Sequence, residues 1–550
     1  MKILRRFAAG SLCAFALTSA SGQTKPEPSI PHLQKKGTAT QLIVDGKPFL
    51  ALAGELNNSS ASSPAYMKPV WPRIVATHFN TVLATVSWEL MEPREGRFDF
   101  ALVDDLLKDA RANHLHLVLL WFGSWKNGKS TYQPLWMKTN QVRFPLAQNE
   151  EGKSLPTMTT LSEANRDADS RAFAALMRHL REVDGNRHTV LMMQVENEVG
   201  LLDAPRDYSP AANRAFNGPV PKELIDYLQA HKEQLIPQLH QAWQAAGFKT
   251  SGSWEEVFGK SLVNKSDWHA FSYLTEECFM AWNYARYVGH VAAAGKAEYN
   301  IPMYVNTWIK QANSGWPGGY PSGGAEPQVL DIWKAGGPEI DILSPDIHAP
   351  KFTDWCDWYT QIGNPLFIPE SAGDAVGAAN ALWAYGKHDL IGYSPFGIDR
   401  SGGADTPLGR LYGVLAQVAP LILEHQGNGT MSAILLDSGA SQTVRLGNYN
   451  IEGRSGSRNA GGATNVPAAL LICTGPDDYV IVVRGMNLYF TAATEPLDNV
   501  ALATVEEGVY AGGKWIPGRR LNGDETPEWK AMRFNGDNYA IQRVTLFRYH

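Results

Sequence analysis

Two kinds of hydrophobic patterning divide the 550-residue chain. From about residue 41 to residue 427, short apolar runs alternate with longer amphipathic stretches, the order expected of strands and helices in a parallel α/β barrel. Beyond Gly427-Asn428-Gly429 the alternation becomes that of strands, and no useful helical period follows. The pattern therefore predicts an α/β fold, a (β/α)8 TIM barrel over 41–427, followed by an all-β, sandwich-like domain over 428–550.

The apolar runs give each predicted element a position. Residues 42–50 are predicted to form a hairpin that turns at Asp45-Gly46, and residues 510–515 form a second one in the C-terminal domain. The eight barrel strands are predicted at 51–55, 81–88, 115–121, from 191, 302–308, 340–346, 366–370 and 390–396. Helices are predicted at 66–77, 100–112, 163–183, 221–246, 268–294 and 408–424.

The N-terminus has the composition of a secretory signal. Positive residues, a short apolar core over 7–17 and small residues over 18–22 follow one another. We expect residues 1–22 to be a signal peptide, residues 23–40 to be a flexible lead-in, and the protein to be periplasmic or secreted.

Composition excludes other classes of protein. The formal charge is −6 and the sequence has no basic stripe, which argues against a nucleic-acid partner. No later run is long enough to span a bilayer, so no membrane insertion is expected. The oligomeric state is not encoded in any recognisable pattern.

Three cysteines remain after the predicted cleavage: Cys278, Cys356 and Cys473. An odd number leaves at least one free thiol or an intermolecular bond. Buried, inert thiols are the default expectation, and a Cys278–Cys356 bridge is the alternative.

Candidate chemistry lies where two predicted barrel strands end. The run from Leu191 is apolar at first and then becomes polar through Asn197 and Glu198; the run 366–371 is apolar and ends at Glu370. Catalytic side chains of such barrels come from the carboxyl ends of strands, so Glu198 and Glu370 should share one rim. Paired carboxyl groups across a cleft perform glycoside hydrolysis. The alternative is a solvated strand end.

A longer pattern carries a family resemblance. It comprises Gly54-Glu55-Leu56, Phe79-Asn80-Thr81-Val82, the segment 88–100 (Trp-x-x-x-Glu-Pro-x-x-Gly-x-Phe-Asp-Phe), Gln194-Val195-Glu196-Asn197-Glu198, and Glu370. Together these resemble the retaining β-galactosidases of glycoside hydrolase family 35, in the bacterial branch that carries a small β-domain after the barrel.

The resemblance implies a reaction and a substrate. Glu370 would be the nucleophile, Glu198 the acid and base, and Asn197 the partner of the sugar 2-hydroxyl. The substrate would be a galactosylated oligosaccharide or polysaccharide, with no metal or organic cofactor. Related specificities (β-glucosidase, β-mannosidase or α-arabinosidase), a transglycosidase and a non-catalytic carbohydrate-binding barrel are the alternatives.

Four further residues are candidate sugar contacts. By resemblance, Glu55 and Asn57 help to hold the sugar, although Asn57 also fits a polar turn. Trp125 lies where related enzymes carry a different element, and it is either a stacking platform or a core residue. His348 stands where related enzymes place a tyrosine; it could hold the nucleophile, or it could be an ordinary loop histidine.

Overall fold

A closed barrel of eight parallel strands forms the centre of the molecule. The computed structural model describes residues 29–550 except 261–274, 312–313, 437–440, 456–465, 497 and 535–537. Each barrel strand pairs with the next in chain order, and the eighth pairs with the first. This confirms the predicted TIM barrel. The strands are Ala51–Glu55, Thr81–Ser87, His116–Lys126, Val190–Asn197, Met303–Trp308, Ile342–Ile347, Ile368–Ser371 and Gly392–Pro395.

Most predicted helices exist, but two of them are divided. The helix predicted over 221–246 is interrupted by a 3-10 turn, and Pro237 begins its second half because proline fits a first helical turn. The helix predicted over 66–77 is likewise two short ones, and residues 268–274 of another lie outside the described residues. The helices are Pro64–Met67, Trp71–Ala76, Trp88–Met91, Ala101–Ala112, Leu135–Lys138, Glu163–Asp184, Pro210–Asn217, Lys222–Ala230, Pro237–Ala245, Trp254–Phe258, Thr275–Glu298, Leu330–Gly336, Phe352–Tyr359, Ala375–Lys387 and Pro407–His425.

An N-terminal sheet closes the bottom of the barrel. Its strands are His32–Lys36, Ala39–Val44 and Lys47–Phe49, and the predicted turn at Asp45-Gly46 is confirmed by positive φ at both residues. Leu42 and Val44 pack against the apolar interior of the barrel.

The flexible lead-in predicted over 23–40 is wrong from His32 onward. This segment pairs antiparallel with the next strand, and the Lys36 ammonium donates to the carbonyl oxygens of Leu423 (2.7 Å) and Glu424 (2.5 Å). A cation at the last turn of the closing helix satisfies carbonyls that have no partner within the helix. Residues 1–28, which include the predicted signal peptide, lie outside the described part.

The C-terminal domain is all-β, as predicted. One sheet contains Met431–Leu435, Ala468–Cys473, Asp478–Arg484, Ala540–Tyr549, Asn499–Ala511 and Lys514–Leu521, and the other contains Ser441–Leu446, Tyr449–Ser455, Met486–Ala492 and Ala531–Met532. In the larger sheet, Leu470 and Ile472 join the core of the barrel, while Ala469 and Leu471 join the core between the sheets. Both faces are therefore covered, which explains the continuous apolar strands. The predicted hairpin at 510–515 is confirmed. Outside the C-terminal domain, a separate two-stranded sheet, Leu146–Gln148 with Ser154–Met158, lies in the loop after the third barrel strand.

Within the described residues Cys278, Cys356 and Cys473 form no disulfide bond with one another, and Cys278 and Cys356 are buried. The alternative of a bridge between those two is thus wrong. Within the described ranges, no helix combines the length and apolar character needed to cross a bilayer.

Candidate active site

The two predicted catalytic carboxylates meet at the carboxyl end of the barrel. Glu198 and Glu370 are each 6% exposed. Together with Asp346 they offer carboxylate oxygens that all lie within 4.8 Å of one another. Asp346 and Glu370 are neighbours in the register of the sixth and seventh strands. The sequence prediction that Glu198 and Glu370 share one rim is borne out by these distances.

The alternation of side chains along each strand brings these groups together. In the first strand Ala51 and Ala53 pack inside the barrel, and Glu55 follows two residues later. In the sixth strand Ile342 packs inside, and Asp346 follows four residues later. Alternate residues of a strand lie on the same face of the sheet. The face that carries these apolar side chains in the barrel interior therefore also carries Glu55 and Asp346 at the mouth.

The backbone at the end of the fourth strand is strained. Glu196 (φ 64°) and Glu198 (φ 44°) both occupy the left-handed region, which is uncommon for a residue with a side chain. The Asn306 side chain holds the second of these positions, because its Oδ1 accepts a hydrogen bond from the Glu198 N–H at 2.9 Å. Such strain costs about 1–3 kcal/mol per residue and is concentrated at functional sites.

One lysine lies among the carboxyl groups. Lys126 ends the third strand, and its Nζ lies 4.0 Å from Oε2 of Glu198. Burial alone would lower the pKa of Lys126, but the charges of Glu198, Glu370, Glu55 and Asp346 together raise it. Lys126 is thus a buried ammonium whose charged form is favoured by the four acids around it.

Burial and mutual repulsion favour protonated carboxyl groups. Burial first, and the charge of Glu370 second, raise the pKa of Glu198 to about 7, while Lys126 acts in the opposite direction. The same two causes raise the pKa values of Glu55 and Asp346 well above their ordinary range. A proton donor is therefore available near neutral pH, as general acid catalysis requires.

Several buried polar groups at the mouth have no protein partner. Neither carboxyl oxygen of Glu55, neither side-chain polar atom of Asn197, and not the hydroxyl of Tyr304 forms a hydrogen bond within the described residues. Each of these residues is 1% exposed or less. Unpartnered buried polar atoms are costly in a folded protein. The convergence of Glu55, Asn197 and the Tyr304 hydroxyl fits a pocket whose hydrogen bonds are completed by a polyhydroxylated ligand.

The two candidate sugar contacts His348 and Asn57 have different surroundings in the structure. His348 lies at the mouth, with its Nε2 3.5 Å from Oε2 of Glu370 and its side chain 41% exposed. The main-chain and side-chain N–H groups of Asn57 both donate to Oδ1 of Asp399 at 2.8 Å. His348 therefore contacts the expected nucleophile, whereas Asn57 braces the loop, which favours its turn interpretation.

Trp125 is a core residue, and the prediction that it stacks on a sugar is wrong. Its side chain is 0% exposed, and its ring packs edge-on against Tyr284 and Tyr287. Its Nε1 donates to Oγ1 of Thr157, and its main-chain N–H donates to Oε2 of Glu196 at 2.7 Å. The third strand continues to Lys126 instead of ending at 121, so this segment is buried behind the mouth.

Glu196 belongs to the same supporting layer. Its carboxyl group shares a hydrogen bond with Asp169, and burial raises the pKa of Glu196 well above its ordinary value. Asp169 in turn accepts a hydrogen bond from Nε1 of Trp121 at 2.8 Å. The pair of Glu196 and Asp169 thus connects the fourth strand to Trp121 of the third strand. Of the two glutamates at the end of the fourth strand, Glu198 is the one that lies beside Glu370.

Four site residues escaped the sequence analysis as participants: Lys126, Tyr304, Asn306 and Asp346. Tyr304 lies in the interior of the fifth strand, where sequence alone suggests a core aromatic residue. The other three stand at or next to the polar ends of barrel strands. That position is the signal which could have identified them.

The carboxylates of Glu198, Asp346 and Glu370 also have a spacing that a divalent cation could bridge. Hard cations such as Mg²⁺ bind oxygen ligands of this kind. Positive charge is already present next to them on Lys126, so glycoside hydrolysis by two carboxyl groups requires no ion at this position.

Comparison with known proteins relates part of the barrel to glycosidases. Residues 71–314 match the glycoside hydrolase family 42 model, described as Beta-galactosidase, and residues 408–533 match a model described as Domain of unknown function (DUF5597). The first match contains Lys126, Asn197 and Glu198. A curated β-galactosidase of Xanthomonas manihotis is 30% identical over 221 residues, which are 39% of this chain. That match spans 34%, about a third, of the length of the relative.

Solved β-galactosidases are among the structural neighbours. The enzyme from Bacillus circulans sp. alkalophilus has a TM-score of 0.46 at 16% identity, covering 68% of this chain and 57% of that chain. The enzyme from Rahnella sp. R3 has a TM-score of 0.45 at 16% identity, covering 70% and 58%. The general resemblance to β-galactosidases is confirmed by the sequence matches, and the specific assignment to family 35 stays a prediction.

Proposed function

We propose that this protein is a retaining, exo-acting β-galactosidase that removes terminal β-galactosyl residues from oligosaccharides or polysaccharide side chains. Glu370 attacks the anomeric carbon, and Glu198 protonates the leaving oxygen and then deprotonates water. The observation that carries this proposal is the proximity of the two carboxyl groups within one buried mouth.

The short separation supports retention over inversion. Retaining enzymes hold their two carboxyl groups about 5–5.5 Å apart, whereas inverting enzymes need about 6.5–9.5 Å to admit a water molecule. An oxygen of Glu198 lies within 4.8 Å of an oxygen of Glu370. That spacing fits direct attack and a covalent glycosyl-enzyme.

The identity of the sugar rests on similarity. The barrel match and the curated relative both carry the name β-galactosidase, and this supports galactose over glucose or mannose. The motif around residues 88–100 and the strand-end residues Asn197 and Glu198 support the finer assignment to family 35. The signal-like N-terminus supports a periplasmic or secreted location.

Hydrolysis of four aryl glycosides tests the reaction and the sugar. A β-galactoside, a β-glucoside, a β-mannoside and an α-arabinoside are compared, and proton NMR follows the anomer released first. We expect a clear preference for the β-galactoside and initial release of β-galactose. Initial release of the α-anomer would contradict double displacement, and a preference for another sugar would contradict the galactose assignment alone.

The two carboxyl variants test the roles. Glu198→Gln should lose little kcat/KM on a dinitrophenyl galactoside but about 10²–10⁴-fold on a substrate whose leaving group needs protonation. Glu277→Gln is the matched control, since Glu277 is a buried acid with its own hydrogen-bond partners. Full activity of both Glu198→Gln and Glu370→Gln would contradict the assignment of these two carboxyl groups as acid and nucleophile.

A further inference from the structure

A third carboxyl group stands between the two proposed catalytic ones. Asp346 is 2% exposed, and its carboxylate has oxygens within 4.8 Å of those of both Glu198 and Glu370. Glycoside hydrolysis by double displacement uses only two carboxyl groups. Asp346 therefore needs a separate explanation, because burying an unused acid next to two others is unfavourable.

Asp346 is connected to the backbone of Glu198 through one amide. The side chain of Asn306 donates from Nδ2 to Oδ2 of Asp346 at 2.7 Å. The Oδ1 atom of the same amide accepts from the Glu198 N–H at 2.9 Å. The amide can satisfy both contacts in one orientation only, so Asp346 fixes which end of Asn306 faces the strained residue Glu198.

Asp346 is also a direct neighbour of the Glu198 side chain. Their oxygens lie within 4.8 Å of one another, and hydrogen bonding with Asp346 lowers the pKa of Glu198. Neither carboxyl group can donate such a bond when both are ionised. Oδ1 of Asp346 receives no N–H or hydroxyl donor from the described residues. One of the pair must therefore carry a proton that lies between them.

The charged groups around this pair favour a neutral Asp346. Glu370 faces it from the seventh strand and Glu55 from the first, while Lys126 from the third strand is the buried cation. His348, on the segment after the sixth strand, points its Nε2 at Glu370. With Lys126 as the buried cation among these four acids, the net charge reaches zero when three of the acids keep their protons and one is ionised.

We propose that Asp346 is a positioning residue for the acid and base: as a neutral carboxylic acid it donates a hydrogen bond to the Glu198 carboxyl and, through Asn306, holds the Glu198 backbone. This inference rests on the proposed function. In the first step the Glu198 proton passes to the leaving oxygen, the glycosidic C–O bond breaks and a Glu370 C–O bond forms. Asp346 keeps its proton and stabilises the new Glu198 carboxylate. Water then gives a proton to Glu198 and its hydroxyl group to the anomeric carbon, while the Glu370 C–O bond breaks and releases Glu370 as a carboxylate.

Two variants at the same position separate this role from mere packing. Asp346→Asn retains both contacts, because an amide can donate to Glu198 and accept from Asn306. Asp346→Ala loses both. We expect Asp346→Asn to keep kcat/KM within about 5-fold of the unmodified enzyme on an alkyl galactoside, and Asp346→Ala to lose about 100-fold or more, within the range of general acid catalysis.

The dependence on leaving group is the decisive readout. A dinitrophenyl galactoside leaves without protonation, so Asp346→Ala should retain most of its kcat/KM there, and added azide should raise its kcat by replacing base-assisted water. Labelling of Glu370 by 2-deoxy-2-fluorogalactosyl fluoride, followed by mass spectrometry, should proceed at nearly the normal rate. An equal loss on both substrates, or equal damage in the Asn and Ala variants, would overturn the proposal.

A second site keeps the test decisive if Asp346→Ala does not fold. Asn306→Ala removes the connecting amide while Asp346 stays, and the same selective loss on the alkyl galactoside is expected. Failure of the underlying function is distinguishable, since Glu198→Gln would then lack the leaving-group dependence as well. Suppose that Glu198→Gln shows the leaving-group dependence but neither Asn306→Ala nor Asp346→Ala does. The positioning role of Asp346 is then wrong, whereas the proposed role of Glu198 as acid is supported.

Discussion

Glu198 and Glu277 are two buried glutamates with the same acidity and different surroundings. Burial is the main cause that raises the pKa of each to about 7. Glu277 lies in a helix, and its two oxygens accept hydrogen bonds from Tyr320 (2.8 Å) and Gln328 (3.1 Å). Lys310 and the buried acid Glu326 also lie near Glu277, whereas Glu198 faces Glu370 and Asp346 at the mouth with Lys126 beside it.

The difference teaches that a raised pKa does not identify a catalytic acid. At Glu277 each carboxyl oxygen already accepts a hydrogen bond from a neutral protein donor. Around Glu198 the carboxyl oxygens of Glu55 and the side-chain amide of Asn197 form no hydrogen bond with any residue that the structure describes, although they are buried. Unmet hydrogen bonds together with perturbed acidity mark the site.

The largest expected contrast comes from removing the nucleophile. Glu370→Gln should lower kcat by more than about 10⁴-fold, because no covalent intermediate can form. Glu277→Gln should keep activity within a few-fold. Equal losses of activity for Glu370→Gln and Glu277→Gln in initial-rate assays on a β-galactoside would contradict the assignment of Glu370 as nucleophile.

A smaller loss is expected at Asn197. Its side-chain amide forms no hydrogen bond within the described part of the chain. A hydrogen bond to the sugar 2-hydroxyl strengthens in the transition state. Asn197→Ala should lower kcat/KM by about 10²-fold on the galactoside. On a 2-deoxygalactoside the unmodified enzyme and the variant should be nearly equal, and a persistent difference there would argue against the 2-hydroxyl contact.

The pH dependence of activity distinguishes the two glutamates again. Glu198 must be protonated to act as an acid, so kcat/KM should fall as the pH rises through about 7. Lys126 lowers the pKa of Glu198, and Lys126→Met should therefore move this alkaline limb to higher pH. The pH profiles of kcat/KM measure the shift, and a limb that moves to lower pH would contradict the assignment.

Glu277 should affect stability instead of the rate. Its pKa in the folded protein, about 7, lies above the ordinary value of 4.5. The protonated form is thus favoured by folding, and the free energy of unfolding falls as the pH rises from about 4.5 through 7, by about 3 kcal/mol at most. Glu277→Gln should flatten this part of the urea-unfolding profile, and an unchanged slope would argue against a buried neutral acid.

The smallest effect is expected from chelation. Activity on the galactoside should be unchanged by EDTA, since Lys126 provides the positive charge beside Glu198 and the mechanism uses only carboxyl groups. Loss of activity that Mg²⁺ or Ca²⁺ restores would instead assign a cation to Glu198, Asp346 and Glu370.

The sequence by itself determined the barrel, its eight strands to within a few residues at most boundaries, the all-β domain, and the pair Glu198 and Glu370. Alternating apolar runs and helical periods are local properties, and a polar residue after an apolar strand is visible without a structure. The predicted boundaries were wrong where a proline divides a helix, as at Pro237, and where Lys36 binds a polar N-terminal segment to the closing helix of the barrel.

Only the tertiary structure decided what each polar or aromatic residue does. Trp125 is core because Tyr284 and Tyr287 cover it, and Asn57 is a brace because Asp399 lies beside it. Asp346 and Lys126 join the site because the barrel closes and brings distant strands together. Burial and unmet hydrogen bonds depend on neighbours far away in the chain, and no local pattern records them.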